Sequence, residues 1–170
     1  MKVKVIRVSD SKVIRGKIIQ SSSLTLPSIT DGWHFNFRKY SRQAGFKTYI
    51  LVCEDTHDII EGCLIFQLKE TVEPYMAYIE IAPHNRGKTK RHEKVAGCLI
   101  AYACRLSFLH GSSVFKGWLA FDVMEQNKKD EIKLMAVYCK KYGALKFGDT
   151  TMVISPEAGE KLITEFLEIE

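Results

Sequence analysis

The segment from Tyr75 to Phe108 constrains the fold most, because its pattern is typical of a buried strand, a basic loop and an apolar helix. Residues 75–82 are mostly apolar and β-prone, and Pro83 ends them. Residues 95–108 are apolar on nearly every side, which predicts a helix packed between other elements. The loop between them carries five cations and one acid at 86–94. Since a helix start also offers unpaired N–H groups, this junction predicts an anion site.

The length and composition indicate one globular domain over residues 1–170. The chain has 170 residues, of which 46% are hydrophobic and 26% are charged. No apolar run is long enough to span a membrane, and the first residues lack an apolar signal region. A cytoplasmic protein that does not contact a membrane is therefore expected.

The cysteines argue against a disulfide framework and against zinc. There are five of them, an odd number, and they form no CxxC pair. Buried free thiols and no metal are therefore expected.

Charge is distributed unevenly along the chain. The net charge is +5, made up of +8 in residues 1–47 and −3 in residues 48–170, although 86–94 alone is +4. The loop suits an anionic cofactor, and the N-terminal zone suits an anionic partner or is simply solvated. A nucleic-acid-associated module is a third-ranked hypothesis, because no RNA- or DNA-binding motif accompanies the charge.

The flanking sequence alternates between strand and helix patterns. Residues 31–40, with aromatic side chains at 33, 35, 37 and 40, predict a short helix or an irregular lid. The other predicted elements are an edge strand at 2–8, an ambiguous segment at 13–20, a hairpin over 48–68, a strand at 117–122 parallel to 75–82, a helix at 128–142, a strand at 147–154 and a helix at 156–167.

This order of elements resembles the GNAT superfamily of acetyl-CoA-dependent N-acetyltransferases over roughly residues 48–155. The segments 81–87, 91–100 and 138–144 carry the resemblance. It implies an α/β fold with a mostly antiparallel sheet and a central parallel strand pair flanked by helices. It also implies acetyl transfer from acetyl-CoA to an amine by direct attack.

The resemblance implies a cofactor site at the basic loop. The family's phosphate loop has Arg or Gln, two residues, Gly, one residue, then Gly or Ala. Arg91 fits its first position and Ala96 its last, while Lys94 stands where the first Gly is usual. Extra residues around 88–91 also separate Arg86 from this segment. The implied cofactor-binding residues are Ile81, Ala82, Arg91, His92, Glu93, Lys94, Val95, Ala96 and Asn127.

Two side chains are the catalytic candidates. Glu80 lies among apolar residues of the central strand, where burial suits a general base, with pairing to Arg or Lys as the alternative. His84 is a second candidate base. By resemblance, Tyr138 is the acid that protonates the leaving thiolate, although the commonest spacing from Gly143 selects Cys139. Tyr142 is the alternative tyrosine.

The expected acceptor is an amine of a small molecule or a protein. The aromatic segment 33–40 and the turn at 54–58 are expected to build its site, and the aromatic residues alternatively form a hydrophobic plug. A homodimer is left open, and nucleic acid is not expected as a partner. The alternative function is a catalytically inactive GNAT-fold protein for CoA binding or interaction.

Overall fold

The computed structural model describes residues 1–21 and 25–168. Its helices are α1 Phe37–Tyr40, α2 Val95–His110, α3 Lys128–Tyr142 and α4 Pro156–Phe166. Its strands are β1 Lys2–Arg7, β2 Lys12–Gln20, β3 Lys47–Cys53, β4 Gly62–Lys69, β5 Glu73–Ile81, β6 His92–Glu93, β7 Leu119–Asp122, β8 Leu145–Lys146, β9 Thr151–Ile154 and β10 Leu167–Glu168.

Within the described residues, the strands form a single sheet in the order β10-β1-β2-β3-β4-β5-β7-β9-β8, with β6 beside β1. Neighbouring strands are antiparallel except for β5 and β7, which are parallel. This confirms the predicted fold class, a mixed sheet with one central parallel pair.

The two faces of the sheet carry separate apolar clusters. Leu64 and Phe66 of β4 point into the main core beneath α2, whereas Cys63 and Ile65 point into a second cluster on the other face. This alternation follows from the two-residue period of a strand. Trp33 and Phe37 bury themselves in the second cluster, so they pack as part of a hydrophobic plug.

Helix α2 is the central buried element, as its pattern predicted. Ten of its sixteen residues are buried, and it packs between the sheet and α4. Gly97 permits the contact with α4, since a Cβ there would lie 2.4 Å from Cε1 of Phe166. The absence of a side chain at Gly97 therefore sets how closely the two helices approach.

Several predicted elements differ in detail. The first strand is not at an edge, because β1 lies between β10 and β2, and the ambiguous segment is β2. The strand predicted at 147–154 is β9 preceded by the separate short strand β8, and Phe147 lies outside both. Cys139 is exposed, so the expectation of buried thiols holds for the other four cysteines.

Candidate functional site

The parallel strands β5 and β7 diverge almost as soon as they meet. In the described part of the chain, they pair at one position, Tyr75 with Ala120. Beyond it lies a cleft of about 680 Å³ between the later residues of β5, the segment after β7 and the start of α3. The sheet is therefore forked, and the opening that the fold implied is present.

A hydrogen-bonded carboxylate fixes the closed end of this fork. The Tyr75 hydroxyl donates to Oδ2 of Asp122 at 2.5 Å, and the hydroxyls of Thr150 and Thr151 donate to Oδ1 at 2.8 Å. Burial alone would raise the pKa of Asp122, but these three hydrogen bonds outweigh it and lower the pKa. The carboxylate thus ties β5, β7 and β9 together in its ionised form.

Main-chain groups of β5 face the opening. The N–H of Ala82 donates to the carbonyl of Glu61 at 2.9 Å, so it points towards β4. Since successive residues of a strand alternate in direction, Ile79 and Ile81 turn their main-chain groups towards β7. The carbonyl of Ile81 accepts from Nε and Nη2 of Arg86 at 3.2 and 3.1 Å. Ile79 therefore turns its N–H towards the cleft, whose lining includes it, and Ile81 turns its N–H towards the adjacent cavity that it lines, while the N–H of the predicted Ala82 is bonded to Glu61.

Tyr138 lines the cleft from α3. Its ring packs at 4.8 Å from that of Phe121 and at 5.9 Å from that of Tyr142. Burial is the main cause that raises the pKa of Tyr138 to about 12, so its phenol is neutral near pH 7 and has a proton to donate. Cys139, which the commonest spacing favoured, is exposed, and Tyr142 lines a different cavity.

Glu80 is buried, and both of its carboxylate oxygens accept hydrogen bonds. Oε1 accepts from the His34 N–H at 2.7 Å and pairs with Arg86, and Oε2 accepts from the Phe35 N–H at 3.0 Å. These contacts hold the aromatic segment over the fork and favour the ion-paired alternative for Glu80. Its role as a base stays a prediction.

The start of α2 lies in a second cavity, of about 380 Å³, which Lys90, Lys94 and Lys141 line together with Glu93. The first helical hydrogen bond joins the Cys98 N–H to the Lys94 carbonyl. The amides of residues 95–97 therefore precede the helical ladder, and helix starts of this kind bind anions.

Two amides that the sequence analysis assigned to the phosphate cradle turn inwards. The Arg91 N–H donates to the His84 carbonyl at 3.0 Å, and the His92 N–H donates to Oδ1 of Asn85 at 2.9 Å. The Arg91 side chain is exposed and is not part of the cavity lining. The main-chain anion site is thus shorter than predicted and begins at Lys94.

Comparison with known proteins identifies the fold. No protein-family model and no curated protein matches the chain, but several solved acetyltransferase structures do. The KacTA–DNA complex has a TM-score of 0.57 at 12% identity, covering 88% of this chain and 99% of the other. AtaTR bound with AcCoA has a TM-score of 0.56 at 13% identity, covering 86% and 97%. This chain has the GNAT fold. Spermidine/spermine N-acetyltransferase SpeG from Vibrio cholerae is also similar, at a TM-score of 0.55 and 12% identity, covering 86% and 98%.

Lys94 stands where the resemblance implies a glycine and adopts a backbone conformation typical of glycine. Lys94 has φ +71° and ψ 0°, the left-handed region that glycine adopts without steric cost, and it stands at the N-cap of α2. The backbone at Lys94 therefore adopts a left-handed turn, and a cationic side chain stands where a glycine would have none.

Asn127 lies at the start of α3, where it lines the cleft. Its Oδ1 accepts from the Asp130 N–H at 2.9 Å, and its Nδ2 donates to Oδ2 of Asp130 at 2.6 Å. The side chain caps the helix. Any contact with a cofactor must therefore use the second lone pair of Oδ1 or the second hydrogen of Nδ2.

A buried polar network that no sequence motif indicated lies behind the α2 start. Glu61 is 1% exposed. It accepts from the Thr56 hydroxyl at 2.6 Å and from Nδ2 of Asn85 at 2.7 Å, and its Oε2 lies 2.7 Å from Nε2 of His84. Burial alone would raise the pKa of Glu61, but these hydrogen bonds outweigh it and lower the pKa. His84 is thus engaged here, and the 54–58 turn also lies outside the cleft lining.

None of the helices in residues 1–21 and 25–168 is both long and apolar enough to span a bilayer.

Proposed function

We propose that this protein is an N-acyltransferase that uses acetyl-CoA to acetylate an amine by direct attack. The observation that carries the proposal is the fork between β5 and β7, with Tyr138 in its wall and the α2 start in an adjacent cavity. Acetyl-CoA, when bound, supplies the acetyl group as an activated thioester.

The residues present fit such a cofactor. The amides of residues 95–97 and the ammonium groups of Lys90, Lys94 and Lys141 suit its phosphates. The N–H group of Ile79 faces the opening, where a donor stabilises negative charge on a carbonyl oxygen. Tyr138 donates the proton that a departing thiolate needs.

The charge of the cleft favours a cationic acceptor. Its lining contains Glu80, Asp122, Glu125 and Asp130, and among the described residues it contains no Lys or Arg. Because an alkylamine is an ammonium ion near pH 7, these carboxylates attract it by charge. The amine must then lose a proton before it attacks, to Glu80 or to water. The similar protein SpeG is named as a spermidine/spermine N-acetyltransferase, and a polyamine is one acceptor of this charge class.

The test is a thermal melt with acetyl-CoA followed by a thiol-release assay over an amine panel. At a hundredfold excess over the dissociation constant, acetyl-CoA should stabilise the fold by about 2.7 kcal/mol. Cationic amines should release thiol faster than neutral amines of equal size. An unchanged melting temperature at millimolar acetyl-CoA would reject the proposal.

The inactive alternative has one observation in its favour, the loss of the Arg91 and His92 amides from the phosphate loop. Stabilisation by acetyl-CoA without thiol release from any amine would support a CoA-binding protein that lacks catalysis.

A further inference from the structure

Three potential metal ligands meet behind the α2 start, outside the cleft. They are Sγ of Cys53, a carboxylate oxygen of Asp55 and a ring nitrogen of His92, and all lie within 4.8 Å of one another. They come from the end of β3, the turn that follows it, and β6. No local metal motif marks this group, because only one ligand is a cysteine and His92 lies 37 positions after Asp55. The fold alone brings the three together.

The His92 ring carries an unexplained nitrogen. The residue is 3% exposed, and its Nε2 is buried without a hydrogen-bond partner. Buried polar atoms nearly always have a partner, so such an exception indicates a missing ligand, ion or water. Oδ2 of Asp55 lies 3.6 Å from this nitrogen, which is too long for a hydrogen bond.

The other ring nitrogen defines which atom is available. Nδ1 lies 3.2 Å from Oε2 of Glu61, and the ionised Glu61 can only accept, so Nδ1 carries the hydrogen. Nε2 then presents its lone pair to Asp55 and Cys53. A histidine that donates one ring N–H to a carboxylate and offers the other nitrogen is the usual arrangement at protein metal sites.

We propose that Cys53, Asp55 and His92 bind one Zn²⁺ ion. Thiolate, imidazole and carboxylate are the three ligand types of protein zinc sites, and the two negative charges balance the metal. Metal–ligand bonds of about 2.0–2.3 Å at tetrahedral angles place ligand atoms about 3.3–3.8 Å apart. The His92–Asp55 distance already fits this range. Asp55 is exposed while Cys53 and His92 are buried, so the ion enters from the Asp55 side, where water completes the coordination.

The site would act on the cofactor loop through His92, which lies two residues before Lys94. A metal bond there ties β6 to the end of β3 and holds the α2 start in place. Arg7 supports the same junction, since its Nη1 donates to Oδ2 of Asp55 at 3.1 Å. The zinc proposal does not rest on acetyl transfer, and its test uses neither acetyl-CoA nor an amine.

Cobalt titration of the metal-free full-length protein tests the proposal. Co²⁺ replaces Zn²⁺ in such sites, and its thiolate bond gives a near-ultraviolet charge-transfer band. We expect this band to saturate at one equivalent and to disappear on adding Zn²⁺. Zn²⁺ at a hundredfold excess over its dissociation constant should raise the melting temperature by about 5–10 °C. Absence of the band in the wild-type protein would overturn the proposal.

Matched cysteine variants locate the thiolate. Cys53→Ser should remove the band, whereas Cys139→Ser, which changes the exposed cysteine, should retain it. A band that survives Cys53→Ser contradicts the assignment. Should Cys53→Ser fail to fold by circular dichroism, Asp55→Asn at the exposed ligand decides, and it should weaken Co²⁺ binding by at least about tenfold. An unchanged affinity in Asp55→Asn would also overturn the proposal.

Discussion

The fork and the phosphate loop are adjacent parts of one site, yet they follow the GNAT pattern to different degrees. At the fork, β5 and β7 separate after one pair and Tyr138 lies in the opening. At the loop, Lys94 takes the place of glycine, and the Arg91 and His92 amides bond to the protein itself. The first region therefore carries the tyrosine that the resemblance implies, whereas the second lacks the implied glycine and two of the implied amides.

The difference teaches which features each task requires. Proton donation needs a particular side chain at a particular place, so a change of residue at position 138 removes it. An anion cradle needs main-chain amides and positive charge, which several residues can supply. We therefore expect the loop to tolerate changes in sequence that the fork does not, and the variants below test this contrast.

The largest effect is expected from Tyr138→Phe. Loss of the proton donor should lower kcat by about 10²-fold or more while the acetyl-CoA dissociation constant stays nearly constant. Steady-state kinetics and calorimetry measure the two quantities. Tyr142→Phe is the matched control for kcat, because it removes a hydroxyl from the same helix outside the cleft, whereas its place in the cavity at the α2 start allows its dissociation constant to change. Equal losses in both variants would remove Tyr138 as the acid.

Glu80→Gln separates the two roles of the buried carboxylate. If Glu80 anchors the aromatic segment, the free energy of unfolding should fall by about 2 kcal/mol, because charge-assisted bonds to His34, Phe35 and Arg86 are lost. The rate at saturation should then change little. Chemical denaturation and kinetics distinguish the roles, with the exposed cleft residue changed in Glu125→Gln as the control. A steep loss of kcat with unchanged stability would establish Glu80 as the base.

Asp122 should make the closed end of the fork sensitive to acid. Its pKa in the folded state lies below the unfolded value of about 3.9. Its stabilisation is therefore complete above that pH and is lost as the pH falls through the folded pKa. Asp122→Asn should cost about 1–2 kcal/mol near pH 7 and less near pH 3. Denaturation curves at both values measure this, and a cost that does not shrink in acid would contradict the assignment.

The smallest effect concerns the backbone at Lys94. Lys94→Ala and Lys94→Gly both remove the ammonium group, but glycine alone adopts the left-handed conformation without strain. The glycine variant should therefore be more stable than the alanine variant by about 1 kcal/mol. Both should bind acetyl-CoA more weakly than the wild-type protein. Equal stability of the two variants would show that the turn at Lys94 is unstrained.

Periodicity predicted the architecture well, because the core depends on local patterns. The apolar residues of α2 appear directly in the sequence, and both helices begin where predicted. The apolar residues of α3 did not predict its buried face, because Met135 is buried whereas Ile132 is exposed. The short strand β8 was missed because it has only two residues, Leu145 and Lys146, which precede the strand predicted at 147–154. The pairing of β1 with β10 was missed because it joins opposite ends of the chain.

The site was less predictable, because its contacts come from distant segments. Nothing near Glu80 in the sequence indicates that the amides of His34 and Phe35 bind it. Nothing near Asn85 in the sequence indicates that its Oδ1 accepts a hydrogen bond from the His92 N–H. Tyr138 lies in the cleft wall, a position that depends on the register of a single helix, and its role as the acid stays a prediction.

The single bridge between β5 and β7 has a consequence for rigidity. In the described residues these two strands pair at one position only, so no continuous hydrogen-bond ladder joins the two parts of the sheet. One part contains β7, β9 and β8, and the other contains β5, β4, β3, β2, β1 and β10. A ligand that carries amide groups would restore part of the missing ladder when it fills the gap. The two parts of the sheet would then move less relative to each other when the ligand is bound than when it is absent.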